Sequence, residues 1–329
     1  KGEKPDRPPV TEYRHVPGYE NDPIKLAGIL SDFQNKYDWD FLKINPRALY
    51  YHEVWGNQYD YSNYNGVVPK IIKHVIDSPA DLEKIVEKNG TEKPFKDQLD
   101  TIAEMRKQLG NDIPLYMTVF TPIGILLNLC GARSLGRYRK SPRDESPLIQ
   151  LFEEDREGVH RALQAITNTL SAYCEELLKS GIDGVFYAGL GMAREGYMTL
   201  EEWNEYVKAY DLQVLDTLKS VPILFHTCGI YSNPQRFNDY PIQALHWAES
   251  ATGNPKIKDC RSWLKTITPM GGVDERLFGT GAADKIAAMA AQSIKDDRNL
   301  PFILAPECSV AVNTLDEELK AFRASVENI

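Results

Sequence analysis

The chain has 329 residues, 42% hydrophobic and 26% charged, with a formal charge of −9. That length accommodates one large α/β domain and a sizeable core without disulfides. The acidic balance argues against nucleic acid as a partner, because phosphate binding needs a basic face, and no stretch approaches the ~18 apolar residues of a membrane span. No signal-peptide pattern opens the chain, and a first residue of Lys rather than Met suggests that the native start lies upstream.

Short apolar runs alternate with longer helical stretches. The runs Pro9–Val16, Trp39–Asn45, Pro114–Phe120, Asp183–Ala188, Pro222–Thr227, Gln243–Ala248, Thr268–Gly272 and Pro301–Ala305 are rich in Val, Ile, Leu, Phe and Tyr. Near-continuous apolar runs suit parallel strands covered on both faces. After the second run, 46–78 is an aromatic, irregular excursion, including Tyr50–Tyr64, of the kind that forms functional loops. Asp155–Ser180 reads as a long helix ended by Gly181. Thr199 caps a helix with Glu201 and Glu202 in its first turn. Thr280–Asp296 is Ala-rich and helical, and Thr314 opens the last helix. Eight strand–helix alternations predict an α/β fold, a closed (β/α)₈ TIM barrel spanning 1–329 as a single domain.

Active sites of such barrels lie at the carboxyl ends of the strands. There the fifth run ends in His226-Thr227-Cys228-Gly229, the sixth leads to Glu249, and the eighth to Glu307-Cys308. His226 and Cys228, two residues apart on a strand end, point the same way, and Cys308 can reach them from another wall. Three ligands with an open fourth position make the catalytic zinc pattern, and thiolates favour zinc over magnesium or calcium. Glu249 is a candidate fourth ligand, able to fill or vacate that position. The cysteines total five, widely spaced, which is not a disulfide framework and suits a reducing, cytoplasmic setting. Of the others, Cys130 and Cys174 read as core and Cys260 as exposed. Tyr187, before the Gly189-Leu190-Gly191 turn, and Asp274, after Gly271-Gly272-Val273, are candidate substrate-facing residues. His246 reads as core or surface. His15, His52, His74 and His160 have no partner legible in the sequence.

Gly2–Val10, Lys36–Lys43, Gly181–Glu205, Pro222–Gly229 and Gly271–Asp274 resemble, in order, the uroporphyrinogen decarboxylase superfamily. The resemblance implies a (β/α)₈ barrel. His226-x-Cys228-Gly229 with a late Cys308 resembles the corrinoid-linked branch, such as the methylcobamide:coenzyme M methyltransferases. That implies zinc held by these three residues and a methyl group moved between a corrinoid and a thiol or methylated small substrate. The more distant cobalamin-independent methionine synthases add a Glu ligand, a role that falls to Glu249. The chain lacks an Asp-x-His-x-x-Gly corrinoid motif, so the corrinoid (cobalamin) is expected on a separate partner protein, docked near Tyr50–Tyr64. Decarboxylases of the superfamily carry an early Arg-rich signature, whereas Pro8–Val16 contains only Arg14. A decarboxylase-like enzyme and a catalytically silent tetrapyrrole- or corrinoid-binding barrel are the alternatives.

Overall fold

The computed structural model describes residues 5–132, 136–138, 143–297 and 301–327. After an extended N-terminal segment, Asp22 caps α1 (Pro23–Tyr37) by accepting the Ile24 and Lys25 N–H groups, and a left-handed Asp38 stops it. β1 (Leu42–Ile44) and α2 (Tyr50–Glu53) follow. Next comes an antiparallel hairpin, β2 (Gln58–Asn65) and β3 (Val68–Lys73). The excursion read as irregular therefore contains a short helix and a two-stranded sheet. Its Tyr residues at 59, 61 and 64 form a run of ring contacts along β2.

The remaining strands are β4 (Leu115–Phe120), β5 (Gly184–Ala188), β6 (Ile223–His226), β7 (Ala244–His246), β8 (Thr268–Val273) and β9 (Ile303–Pro306). With β1 they form one curled, fully parallel sheet in the order β1-β4-β5-β6-β7-β8-β9. The helices α3 (Lys93–Leu109), α4 (Pro122–Leu129), α5 (Pro147–Glu154), α6 (Arg156–Lys179), α7 (Leu200–Glu202), α8 (Ala209–Thr217), α9 (Ala283–Asp297) and α10 (Asp316–Ala324) lie between or around these strands. A π-helical stretch, Trp203–Lys208, links α7 to α8. All predicted strands except the first are present; most have shorter bounds, while β8 and β9 each run one residue past the predicted end. Pro9–Val16 contributes a single parallel bridge, Val10 to Leu304. Around it, Leu304 N–H donates to Pro9 O, Thr11 N–H to Leu304 O, and Asp40 N–H, next to β1, to Val10 O.

Strand alternation sorts the side chains into two layers. Tyr13, Phe41, Phe186, Ala188, Leu224, Ala244, Met270 and Ala305 form a cluster on the concave face. Their neighbours Val185, Tyr187, Ile223, Phe225 and Leu245 join the larger core under the helices. In register, Ala188 pairs with His226 and His226 with His246. His226 and His246 therefore sit at the carboxyl edge on the same face as Leu224 and Ala244. Among the described residues, no helix is long and apolar enough to cross a membrane.

Candidate metal centre

His226 ends β6, and the loops beside it fix the course of the next residues. Gly189 N–H donates to His226 O at 2.8 Å, and Cys228 N–H donates to Leu190 O at 2.9 Å. Thr227 N–H donates to His246 O at 3.0 Å. The His226–Cys228 turn is thus held from both neighbouring strands. Glycine is required at two places. A Cβ on Gly189 would lie 2.9 Å from Phe225 Cε1, and one on Gly229 would lie 2.4 Å from Arg137 O. From the far wall, Glu307 N–H donates to Val273 O at 2.8 Å and aims Cys308 inward.

These constraints bring one ligand atom each of His226, Cys228 and Cys308 within 4.8 Å of one another. Cys228 Sγ lies 3.8 Å from Cys308 Sγ, and Cys308 Sγ lies 3.7 Å from His226 Nε2. A tetrahedral ion with metal–sulfur bonds of about 2.3 Å and a metal–nitrogen bond of about 2.0 Å requires roughly 3.8 Å between sulfurs and 3.6 Å between nitrogen and sulfur. The donor set and its spacing fit zinc. The trio borders a cavity of about 190 Å³ that is also lined by Lys43, Arg137 and Arg194.

The contact between the two sulfurs, with Arg137 and His226 nearby, pulls the Cys308 thiol well below its usual range, while the same contact and burial push Cys228 up. The Arg137 guanidinium is raised, with Cys308 the leading cause. Glu275 holds Arg137 at 3.1 Å and accepts the Tyr138 hydroxyl proton. Arg194 donates to Ile230 O and Gly136 O, so the 136–138 segment crosses the mouth tied to several loops.

The other sequence candidates stand apart from the trio. Glu249 turns away: its Oε2 accepts the Ile257 N–H at 2.7 Å, at the start of the 3₁₀ turn Ile257–Ser262. Tyr187 faces the helix layer and donates to Asp211 Oδ1 on α8 at 3.0 Å. Asp274 pairs with Arg276 at 2.7 Å. It belongs to a second acidic group with Glu275 and Glu307. Burial pushes Glu307 up to about 8, while Ser250 donates to both its oxygens.

Several residues differ from the sequence reading. Cys260, expected exposed, is fully buried in the 3₁₀ turn. His246 is fully buried, as a core reading has it, but its place is beside the site. Its ring centroid lies 4.7 Å from that of His226; Nδ1 meets Tyr13 OH at 3.2 Å and Nε2 meets Pro306 O at 2.9 Å. Pro306 lies two residues before Cys308, so His246 braces that strand end. His15 pairs with Glu20, His74 with Asp77 and His160 with Glu205. Lys43, Tyr13, Arg137 and Arg194 were missed; for Lys43 alone, a charge inside an apolar strand was a usable signal.

The family model described as uroporphyrinogen decarboxylase (URO-D) matches residues 1–329. A uroporphyrinogen decarboxylase of Christiangramia forsetii is 23% identical over 256 residues, 70% of this chain and 69% of that protein. One of Thermodesulfovibrio yellowstonii is 24% identical over 143 residues, a match spanning 42% of this chain and 41% of that protein. Among solved structures, a methyltransferase from Methanosarcina mazei superposes with TM-score 0.79 at 18% identity, covering 98% of this chain and 94% of its own. A B12-independent methionine synthase from a Shewanella species gives 0.56 at 11% identity, covering 93% and 86%. These likenesses speak to the fold. The chain belongs to the uroporphyrinogen decarboxylase (URO-D) family.

Proposed function

We propose that this protein is a zinc-dependent methyltransferase. It moves a methyl group between a corrinoid on a separate partner protein and a thiol or methylated small substrate. The observation that carries this reading is the convergence of His226, Cys228 and Cys308 beside a cavity, at distances that suit a tetrahedral ion. Zinc bound there would lower the pKa of a thiol and hold it as a thiolate. Arg137 offsets the negative charge of the two sulfurs. Glu275 and the Ser309 carbonyl orient its guanidinium. With Glu249 engaged by Ile257, zinc held by the trio would have its fourth position open to a substrate thiol from the cavity that the trio borders.

We read 1–329 as one domain, a closed (β/α)₈ barrel in which the 9–11 segment bridges β9 and the approach to β1. This is supported by its hydrogen bonds to Leu304 and Asp40. Free thiols at the centre favour a reducing, cytoplasmic setting. Porphyrinogen decarboxylation is the second reading, favoured by the names of the curated relatives. Against it, Arg14, the one Arg within Pro8–Val16, lines a different cavity from the thiolate trio.

The test is zinc-loaded protein incubated with methylcobalamin and a panel of small thiols, followed by corrinoid absorbance and product mass. Zinc-dependent loss of the cobalt–methyl band with formation of the thioether is expected. No transfer to any thiol, together with conversion of uroporphyrinogen III to coproporphyrinogen, would replace this reading by the second.

A further inference from the structure

Behind the wall of the thiolate cavity lies another, of about 200 Å³, enclosed by the N-terminal segment, α1 and the start of β1. Tyr13 and Lys43 line both cavities, so these two side chains form the partition. Glu12 lines only the second. It is fully buried, and among the described residues neither carboxylate oxygen has a hydrogen-bond partner. An unpaired buried carboxylate is costly, and such a group takes up a proton instead. Burial pushes its carboxyl up to about 8, with Arg14 and Lys43 opposing.

Lys43 is buried in the partition. Its Nζ donates to Asn45 Oδ1 and lies 4.1 and 4.4 Å from the ring centroids of Tyr13 and Phe186. Burial brings its ammonium down to about 7. The groups facing Glu12 are Tyr13 and Arg14 on its own segment, Lys43 on β1, and Asp32, Lys36 and Tyr37 on α1. Arg14 lies over the Phe33 ring, and Lys36 pairs with Asp316. Asp32 is exposed, so this side of the cavity meets solvent.

A thiol that binds as thiolate must lose a proton inside the first cavity. Arg137 and Arg194 are guanidiniums and take no proton. His246 has both nitrogens engaged. Among the described residues that line this cavity, Lys43 is the remaining acceptor besides His15, whose Nδ1 is held by Glu20.

We propose that Lys43 and Glu12 form a proton exit from the thiolate cavity, carrying the proton of a substrate thiol through the partition to the second cavity and solvent. The inference rests on the thiol reading given above. The S–H bond breaks, its electron pair stays on sulfur, and the proton forms an N–H bond on the neutral Lys43 amine. The resting Glu12 carboxyl is protonated, and its O–H gives that proton to solvent through the second cavity. The Lys43 ammonium then gives its proton to the freed Glu12 oxygen, restoring the neutral amine and the carboxylic acid. No electrons change hands.

The test uses zinc-loaded full-length protein mixed with 2-mercaptoethanol in weak buffer with a pH indicator, followed by stopped flow. Wild type is expected to release about one proton per zinc. Glu12→Gln should bind the same zinc and thiol but release the proton roughly 100-fold more slowly, the low end for a positioned proton-transfer group. Glu12→Ala should be equally slow and be rescued by added formate, which a merely structural role would not allow. In metal-free protein, infrared titration should show carboxylic acid absorbance that disappears near pH 8, and Glu12→Gln should lose the Glu12 share of it while the shares of Asp211 and Glu307 remain. Wild-type release rates in Glu12→Gln, or slowing in His15→Asn instead, would overturn the proposal. No proton release from wild type would sink the thiol reading first, and this proposal with it.

Discussion

Replacing Cys308 by Ser tests the proposed centre most directly. The hydroxyl is close in size to the thiol but does not ionise at neutral pH, so the site loses a ligand and a negative charge together. The structure makes this loss hard to repair. Cys228 and His226 share one turn, and the carboxylates on the other wall are engaged: Glu307 by Ser250, Glu275 by Arg137 and Tyr138, and Asp274 by Arg276. Four-ligand zinc sites bind with roughly 10–16 kcal/mol, so one ligand is worth about 3 kcal/mol, or roughly 100-fold in affinity. Titration against a chelator of known affinity should show that drop. The same loss should appear in thermal melts. At zinc equal to about 100 times the wild-type Kd, bound metal stabilises by about 2.7 kcal/mol; for a variant 100-fold weaker the gain falls to about 0.4 kcal/mol. Cys130→Ser is the control. Its thiol donates to Leu126 O within α4, a contact that a serine hydroxyl can keep. Wild-type zinc affinity in Cys308→Ser would refute the trio as the metal site.

Glu249→Ala should keep full zinc content while losing about 1 kcal/mol of stability, because its carboxylate accepts an N–H at the start of a 3₁₀ turn; metal loss measured by elemental analysis would restore it as a ligand. Tyr187→Phe should cost about 1–3 kcal/mol in denaturant melts, since Asp211 loses a buried donor, with zinc binding unchanged. Asp211 itself has its carboxyl pushed up to about 8 by burial. Its folded value exceeds the unfolded one, so its stabilising contribution is complete below about pH 4 and is lost as the pH rises toward 8, at up to about 1.4 kcal/mol per unit. Asp211→Asn should flatten the decline in stability between pH 5 and 7.5, and an unchanged slope would count against it. Gly189→Ala should lower zinc affinity about 10- to 100-fold through the displaced His226 carbonyl; unaltered chelator titration would contradict that.

The order of strands and the three ligand candidates were legible because both follow local rules. Apolar runs bounded by turn residues marked every strand of the parallel sheet. The two-residue period put His226 and Cys228 on one face. The Thr199 cap lies where its side chain accepts the Glu202 N–H, whereas the last helix starts at Asp316 with Leu315, not Thr314, at its cap. What failed was tertiary. The Pro9–Val16 run has strand composition, yet only Val10 makes a bridge, because the segment then leaves the sheet to line two cavities. Aromatic residues alternating with polar ones at 58–65 hid a hairpin whose outer face is exposed. Glu249 lay at a plausible interval, but sequence spacing gives no rotamer, and the Ile257 amide offers its carboxylate a nearer partner. Tyr187 was assigned by position in the chain. Its neighbours Phe186 and Ala188 occupy the concave face, so alternation alone turns Tyr187 toward the helices.

Charge explains why such a centre can sit almost wholly inside the protein. Two thiolates around a divalent ion make a neutral group, and a third from substrate would make it an anion. Burying that anion in an apolar pocket would be prohibitive unless fixed positive groups already stood beside it. Arg137 meets this need, since Cys308 and Cys228 both raise its guanidinium while Glu275 anchors it from behind. The neighbouring histidine cannot add to the charge, because burial and the nearby His226 ring hold His246 well below its usual range. His246 stays neutral and works through geometry, its Nε2–H donating to Pro306 O and its Nδ1 accepting from Tyr13. The division of labour follows from depth. Groups on the mouth loops carry the compensating charge, while those on the strands brace the backbone that presents the sulfurs.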